Sequence, residues 1–206
     1  MDYEKLKQKI EEAIKNKEKR RFKQSVELIV VLKDVDVKEL KNAINLITMP
    51  YYNFSKVVVF TETKKELGNG NVRNVSLKEI EEISQSKRLS KKFARSFDIS
   101  LSEQKLLPII GKLLGKYLAP LGKMPFPITD EKRLNELIEK MKKSVRINLK
   151  QNQIQLKIGK EDMKIEELFE NAKSALSQII SALPQGERNI KKIYIKLTMS
   201  KPVKVM

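Results

Sequence analysis

The hydrophobic pattern of the predicted strands changes along the chain, and this change constrains the fold more than any other feature. Near both ends, strands at residues 25–32, 145–150, 154–158 and 193–199 alternate apolar with polar side chains, or begin to do so. Alternation is typical of antiparallel sheets with one solvated face, and the Gln-Asn-Gln segment between the second and third strands predicts a hairpin. Residues 56–60 instead contain the continuous apolar run Val57-Val58-Val59-Phe60, typical of a buried parallel strand. The sequence therefore predicts two kinds of sheet.

Helical patterns occupy most of the segments between the strands. Ser76 and Glu79 form a Ser-x-x-Glu pattern, which predicts a capping box at the start of a helix. Gly111 and Gly115 form a Gly-x-x-x-Gly pattern, which we interpret as a site of close helix packing. Helices are predicted at residues 3–19, 36–47, 76–84, 86–94, 102–118, 129–143 and 165–183, and a further strand at residues 97–101.

The order of these elements predicts an α/β protein of two domains. Strands alternate with helices in residues 53–144, which favours an inserted Rossmann-like three-layer α/β domain. Residues 1–52 plus 145–206 would form a split α+β two-layer domain built from both termini. Two parallel linkers, near residues 50–54 and 143–145, then predict a hinge.

The residue types that the chain lacks exclude several classes of function. Its 206 residues include no Cys, His or Trp. A disulfide framework, a zinc finger, a thiol nucleophile and a Ser-His-Asp triad are therefore excluded. Gly68 and Gly70 form a lone Gly-x-Gly, and Asp98 at a strand end lacks partner carboxylates nearby. No catalytic residue, metal site or cofactor is predicted, and a Rossmann-like nucleotide-binding protein or enzyme is the alternative.

The charge of the chain points to a polyanionic partner. The formal net charge is +17, and the domain built from both termini carries 24 basic and 15 acidic residues, net +9, against 19 and 11, net +8, in the insert. Basic residues spread over folded domains are typical of nucleic-acid-binding proteins, although a charged thermophilic surface is the alternative. No apolar stretch approaches the roughly 18 residues of a membrane span, and no targeting signal is evident, so we expect a cytoplasmic protein without a membrane partner.

Long polar side chains are concentrated on the solvated faces of the terminal strands. Such donors suit phosphates and 2′-hydroxyls, although an ordinary solvated sheet face is the alternative. Phe22, within a basic segment, could stack on a base or cap the hydrophobic core. The polar residues concerned are Arg146, Asn148, Lys150, Gln155, Lys157, Lys196 and Thr198.

Three segments resemble the L-one family of large-subunit ribosomal proteins, in its archaeal form. Residues 107–125 read LPIIGKLLGKYLAPLGKMP and look like the family signature. Residues 193–202, IYIKLTMSKP, resemble the C-terminal segment of the family, and residues 22–28, FKQSVEL, match the start of its first strand. The resemblance covers nearly the whole chain, from about residue 12 to the C-terminus.

The resemblance implies a fold and a function. The family has a first domain assembled from both termini, which carries the principal RNA site, and a Rossmann-like insertion joined by a flexible hinge. Its members bind large-subunit rRNA and form the mobile stalk beside the site where deacylated tRNA leaves, and many repress translation by binding their own mRNA. We therefore expect a structural ribosomal protein, not an enzyme, that is a monomer when free and has these three RNAs as partners. A non-ribosomal RNA-binding repressor is the nearer alternative.

The same resemblance implies RNA-binding residues by position. The sequence departs from the family pattern at three places. Ser200 stands where the family usually has Gly, which would alter a close backbone approach. Leu121 stands where Arg is common, and residues 49–56 replace a Gly-rich basic loop. The predicted RNA-binding residues, with Lys196 from the sheet face, are Glu12, Arg21, Phe22, Ser25, Gln155, Lys157, Gly159, Lys196, Thr198, Met199 and Ser200.

Overall fold

The computed structural model of the protein describes residues 3–17, 20–36, 40, 44–62, 71–128, 133–147, 149 and 151–206. The chain divides into two compact units. Unit 1 consists of Met1–Tyr52 and Ser144–Met206, and unit 2 consists of Asn53–Lys143. Helices and sheets occur in both units, so the predicted α/β class is confirmed.

Within the described residues, unit 1 contains an antiparallel sheet and two helices whose bounds the structure gives. Its described elements are α1 (Tyr3–Lys15), β1 (Ser25–Leu32), β2 (Leu46–Thr48), β7 (Ser144–Arg146), β8 (Gln153–Lys160), α6 (Ile165–Ala182), β9 (Ile190–Leu197) and β10 (Val203–Lys204). The main sheet has the order β10-β9-β1-β8, and β2 pairs separately with β7. The central strand of the sheet, β1, thus comes from the N-terminal segment and its neighbours from the C-terminal one.

One face of the main sheet is covered and the other is open. In β1 every second residue from Val26 to Leu32 is buried, and the residues between them are only half-buried. Both helices contact each other and the sheet, and they bury apolar stripes that include Leu6 of α1 and Leu176 of α6. Since apolar side chains prefer the covered face, the polar side chains of β8 and β9 remain on the open one.

Unit 2 is built around a parallel sheet of order β4-β3-β5-β6. Its described elements are β3 (Val57–Thr61), β4 (Val72–Ser76), α2 (Leu77–Gln85), α3 (Lys87–Ser96), β5 (Ile99–Glu103), α4 (Leu107–Leu118), β6 (Phe126–Ile128) and α5 (Leu134–Lys142). All five residues of β3 are buried, as expected for a parallel strand covered on both faces. The prediction of a buried strand at residues 56–60 is therefore confirmed to within one residue.

An aromatic cluster forms the centre of the core of unit 2. The ring centroids of Phe60 and Phe93 lie 6.1 Å apart, and those of Phe93 and Phe97 lie 5.2 Å apart. Buried residues of α2, α3 and α4, including Ile80 and Ile110, complete this core against the sheet. The three helices are amphipathic, so each presents its other face to solvent.

The described part of the strand predicted at residues 145–150 does not pair with β8 as the predicted hairpin requires. Residues 144–146 form β7, which pairs with β2, while β8 pairs antiparallel with β1. Alternation reports which face of a strand is buried, but it does not choose the neighbouring strand. The helix predicted at residues 36–47 was extended too far at its C-terminal end, because Leu46 and Ile47 belong to β2.

Two local motifs and two strands in unit 2 also differ from expectation. Ser76 precedes α2 but its side chain makes no capping hydrogen bond, and Glu79 instead forms an ion pair with Arg73. A Cβ added at Gly111 or Gly115 would meet nothing within 4 Å, so close helix packing does not explain these glycines. Sequence reasoning missed β4 and β6, which are mostly polar or Pro-containing edge strands.

Several predictions fall on residues outside the described ranges. They concern the Gly-x-Gly at Gly68 and Gly70, the helix start at Thr129 or Asp130, and the sheet-face residues Asn148 and Lys150. Asp98, the lone acidic candidate, accepts a hydrogen bond from the backbone N–H of Lys56 at 3.0 Å. Its carboxylate therefore ties the starts of two neighbouring strands together.

Candidate nucleic-acid interface

A buried amide joins three chain segments at one end of the main sheet of unit 1. Gln24 is 1% exposed, and its side-chain Oε1 accepts a hydrogen bond from the backbone N–H of Met199 at 3.1 Å. Its backbone carbonyl accepts a hydrogen bond from the N–H of Glu161 at 3.0 Å. Gln24 therefore links the start of β1 to the turn after β9 and to the end of β8. We call these three segments, residues 21–25, 159–162 and 198–200, the Gln24 junction.

The turn of residues 198–200 is closed by its own hydroxyl groups. Thr198 Oγ1 accepts a hydrogen bond from the N–H of Ser25 at 3.1 Å, and the N–H of Thr198 donates to the carbonyl of Ser25 at 3.1 Å. Ser200 Oγ accepts a hydrogen bond from the N–H of Leu197 at 2.9 Å. Ser200 does not have a positive φ, so it occupies this turn without the strain that a left-handed conformation would bring.

The junction holds two large apolar side chains in solvent. Phe22 is 51% exposed and Met199 is 54% exposed, although the N–H of Met199 is hydrogen-bonded to Gln24. Exposed aromatic residues beside cations are suited to stacking on bases or riboses. Phe22 is too exposed to cap the hydrophobic core, and Arg21 beside it is also exposed; stacking by Phe22 stays a prediction.

An ion pair connects the same segments at the surface. Lys23 Nζ lies 2.7 Å from Asp162 Oδ2, so it bridges the start of β1 and the residue two places beyond the end of β8. The hydrogen bond from Lys23 lowers the pKa of Asp162, and the same bond raises the pKa of Lys23. Both groups are therefore charged over a wide pH range.

The open sheet face continues from the junction as a band of mixed polarity. In the strand register, Glu27 of β1 lies between Lys157 of β8 and Lys196 of β9. Glu27 also accepts a hydrogen bond from the side-chain amide of Gln155 at 2.8 Å. The next residue of β1 on the same face, Ile29, lies between Gln155 and Tyr194. Cations, amides and an aromatic ring therefore share one face, a composition suited to the phosphates and sugars of RNA.

Two predicted site residues have a structural explanation of their own. Gly159 is buried, and a Cβ added there would lie 2.4 Å from Cδ2 of Leu168 and 2.7 Å from Sδ of Met163. Glycine is thus needed where α6 packs on β8. Glu12 lies on α1, on the covered side of the sheet, and pairs with Lys9 at 2.6 Å. The structure does not bring Glu12 to the open face.

Sequence reasoning missed Gln24, although the strand pattern contains a signal for it. Gln24 has the same parity as the buried positions Val26, Leu28 and Val30, so the alternation places it on the covered face. A buried amide must be hydrogen-bonded, because an unsatisfied one is costly. A polar residue in phase with an apolar series was therefore the available clue.

The signature segment of unit 2 has a structural role. Gly122 adopts a left-handed φ of 66° after the helical turn of residues 119–121, and the backbone carbonyl of Lys123 accepts a hydrogen bond from Ser100 Oγ at 2.9 Å. The ammonium of Lys123 donates to the carbonyls of Ala94 and Phe97 and lies 5.4 Å from the Phe97 ring centroid. A cation at these carbonyls stabilises the C-terminal end of α3.

Two hydrogen bonds link neighbouring strands near their carboxyl ends, the edge at which Rossmann-like proteins bind nucleotides. Thr61 Oγ1 donates to Asn74 Oδ1 at 2.7 Å, and the N–H of Glu62 donates to Glu103 at 3.3 Å. Within the described ranges, no group of three or more acidic residues could hold a metal ion. Within the same part of the chain, no helix is long and apolar enough to cross a membrane.

The fold and the open sheet face are those of a basic α/β protein with features of nucleic-acid-binding proteins. The model of the ribosomal protein L1p/L10e family matches residues 4–201. The large ribosomal subunit protein uL1 of Thermofilum pendens is 42% identical over 211 residues, which cover 95% of this chain and 92% of that protein. The uL1 proteins of Pyrococcus abyssi and Archaeoglobus fulgidus are 38% and 34% identical, over 99% and 100% of this chain and 96% and 99% of theirs.

The chain therefore belongs to the ribosomal protein L1p/L10e family. Its family makes it an RNA-binding protein of the large ribosomal subunit. The resemblance on which the sequence interpretation relied is confirmed, including its archaeal character, because the relatives named above are archaeal.

Proposed function

We propose that the Gln24 junction and the adjoining open sheet face form the rRNA-binding surface of unit 1. The observation that carries this proposal is that Gln24 fixes Met199 and the start of β1 in one rigid arrangement, with Phe22 and Met199 left exposed beside it. A preorganised surface of this kind loses little conformational entropy on binding. The protein then acts by binding, without a catalytic step, at the cytoplasmic ribosome.

Phe22→Ala tests this proposal directly. Stacking of one aromatic side chain on a base contributes about 1–3 kcal/mol, so we expect the affinity for a full-length large-subunit rRNA transcript to fall by that amount. Filter binding at fixed salt measures the change. Tyr51→Ala is the matched control, because Tyr51 is 52% exposed and lies in unit 1 outside the proposed surface. Equal losses in the two variants would show that the surface is elsewhere.

The same surface is proposed to repress translation by binding the protein's own mRNA. A surface that recognises RNA shape and backbone accepts any RNA with the same fold. A transcript of the mRNA should therefore compete with rRNA for wild-type protein, and Phe22→Ala should weaken both complexes by a similar factor. Competition that persists unchanged in Phe22→Ala would place mRNA binding on another surface.

We also propose that the protein forms the mobile stalk beside the exit site for deacylated tRNA. The chain passes between the two units twice, after Tyr52 and after Lys143, as expected for a hinged pair of units. Because the chain has no Cys, Lys191→Cys and Lys112→Cys would place one fluorophore in each unit. On ribosomes, deacylated tRNA should shift the transfer efficiency between them, whereas labels at residues 78 and 112, both in unit 2, should show no shift.

A further inference from the structure

The outer face of α3 carries five cations and no acidic residue. Within its ten residues all five basic side chains are exposed, and no acidic residue interrupts them. At 3.6 residues per turn they occupy a contiguous arc of about 140°. We call this surface the α3 cationic face; its members are Lys87, Arg88, Lys91, Lys92 and Arg95.

These cations have no partner within the part of the chain that the structure describes. Other cations of unit 2 form ion pairs: Arg73 pairs with Glu79, and Lys142 pairs with Glu139. Three like-charge pairs on α3 are four residues apart, beginning at Lys87, Arg88 and Lys91, and such pairs destabilise a helix. A local feature that costs stability without an internal compensation is typical of a functional surface.

The rest of α3 is anchored to unit 2, so the helix backbone sets the spacing of the cations along its outer face. Its inner face is buried through Ser90, Phe93 and Ala94. Ser90 Oγ donates to the carbonyl of Ile83 at 2.8 Å, and Lys123 caps the last carbonyls. From Arg88 to Arg95 the row extends about 10 Å, at 1.5 Å per residue.

The shape of the surface selects the kind of anion. The side chains of Arg88, Lys91, Lys92 and Arg95 line a shallow open groove of about 540 Å³, and they are spread along it instead of converging on one point. A row of cations matches a polyanion with repeated charges better than a single small anion. An anionic membrane would need an exposed apolar face, but the apolar face of α3 is buried and only Leu89 is exposed.

We propose that the α3 cationic face is a second RNA-binding surface, which binds the phosphate backbone without regard to base sequence. It lies in unit 2 and shares no residue with the Gln24 junction, so the two proposals can fail independently. Phosphate contacts of this kind position an RNA and strengthen binding, and their contribution falls steeply with salt.

The test uses the full-length protein and an unrelated 20-base-pair RNA duplex. In the triple variant Arg88→Gln/Lys92→Gln/Arg95→Gln, the slope of log K against log salt should decrease in magnitude by about 2–3, about one for each lost phosphate contact. The control Lys105→Gln/Lys112→Gln/Lys116→Gln removes the same charge from exposed residues of the same unit and should change the slope by less than one. Equal changes in both variants would overturn the proposal.

Further measurements separate this role from a structural one and identify the source of the RNA. Arg88→Lys/Arg95→Lys keeps the charges and should keep the slope, and the melting temperature of the glutamine triple variant should not fall. A lower melting temperature, or tighter binding to phosphatidylglycerol vesicles than to the duplex, would overturn the proposal. If saturating rRNA displaces the duplex, the face binds the same rRNA; if the duplex still binds, it accepts a second RNA.

Discussion

The Gln24 junction of unit 1 and the α3 cationic face of unit 2 use polar residues in opposite ways. At the junction, polar groups are bonded to the protein itself: Gln24 to Met199, Thr198 to Ser25, and Lys23 to Asp162. On α3, the cations have no partner within the described residues. A surface fixed by internal bonds can discriminate by shape, whereas unpaired charges attract any polyanion. The two proposals therefore assign specific binding to unit 1 and general affinity to unit 2.

The largest expected effect comes from Gln24→Leu. The substitution removes the acceptor of the partly buried hydrogen bond from the N–H of Met199, and losing one partner of such a bond costs about 1–3 kcal/mol. Because the junction would lose its fixed arrangement, we expect rRNA affinity to fall about tenfold or more. A tenfold loss corresponds to about 1.4 kcal/mol of binding free energy. Urea unfolding and filter binding measure the two changes.

Gln8→Leu is the matched control for this prediction, since Gln8 is exposed on α1 and lies outside both the junction and the open sheet face. Its unfolding free energy should change little. Binding of the unrelated duplex should also change little in Gln24→Leu, because that binding is assigned to α3. A loss of duplex binding as large as the loss of rRNA binding would contradict the division of roles between the units.

Two Gly→Ala substitutions compare the packing around one glycine in each unit. Gly159→Ala should destabilise the protein by about 1–3 kcal/mol, because its Cβ would overlap Leu168 and Met163 under α6. Gly115→Ala should instead stabilise it by about 0.8–1 kcal/mol, because alanine is the better helix former and nothing lies within 4 Å. Denaturant unfolding checks both signs. Destabilisation by Gly115→Ala would contradict the open surroundings of Gly115.

The smallest expected effect is the pH dependence of the Lys23–Asp162 pair. Lys23 lowers the pKa of Asp162, so the stabilisation is present above the ordinary Asp value of about 4 and is lost as pH falls through the lowered value. At the alkaline end it is lost as pH rises through the raised pKa of Lys23, above 10.5. Both groups are exposed, so salt should weaken the effect.

Thermal unfolding of the wild type and Asp162→Asn between pH 2 and pH 7 measures this contribution. The difference in melting temperature should be constant above about pH 4 and should disappear at the acid end. A difference that does not vary with pH would show that Asp162 stabilises the junction by some other contact.

Much of the fold could be predicted because side-chain alternation and helical periodicity are local. The strand at residues 25–32 and the long helix that begins at Ile165 agree with their predictions to within a residue. Strand pairing could not be predicted in the same way, so β7 was assigned to a hairpin with β8 instead of to β2. Edge strands such as β4 were missed because their side chains are mostly polar.

The candidate site was predictable in part. The resemblance directed attention to Phe22, Thr198 and Met199, and the structure joins the segments that contain them. It did not direct attention to Gln24, whose acceptor role depends on a donor 175 residues away. Glu12 remains a prediction, although the structure places it on the covered side of the sheet.

The sequence by itself determined the classes of function that the chain excludes, the buried face of the strands and helices that it predicted, and the family to which it belongs. These follow from residue types and local patterns, since each side chain's preference for water or for the core acts at its own position. Only the tertiary structure decided which strands pair, that a buried amide joins the two ends of the chain, and that the cations of α3 lack partners within the described residues. Those properties depend on groups far apart in the sequence that folding brings within hydrogen-bonding distance.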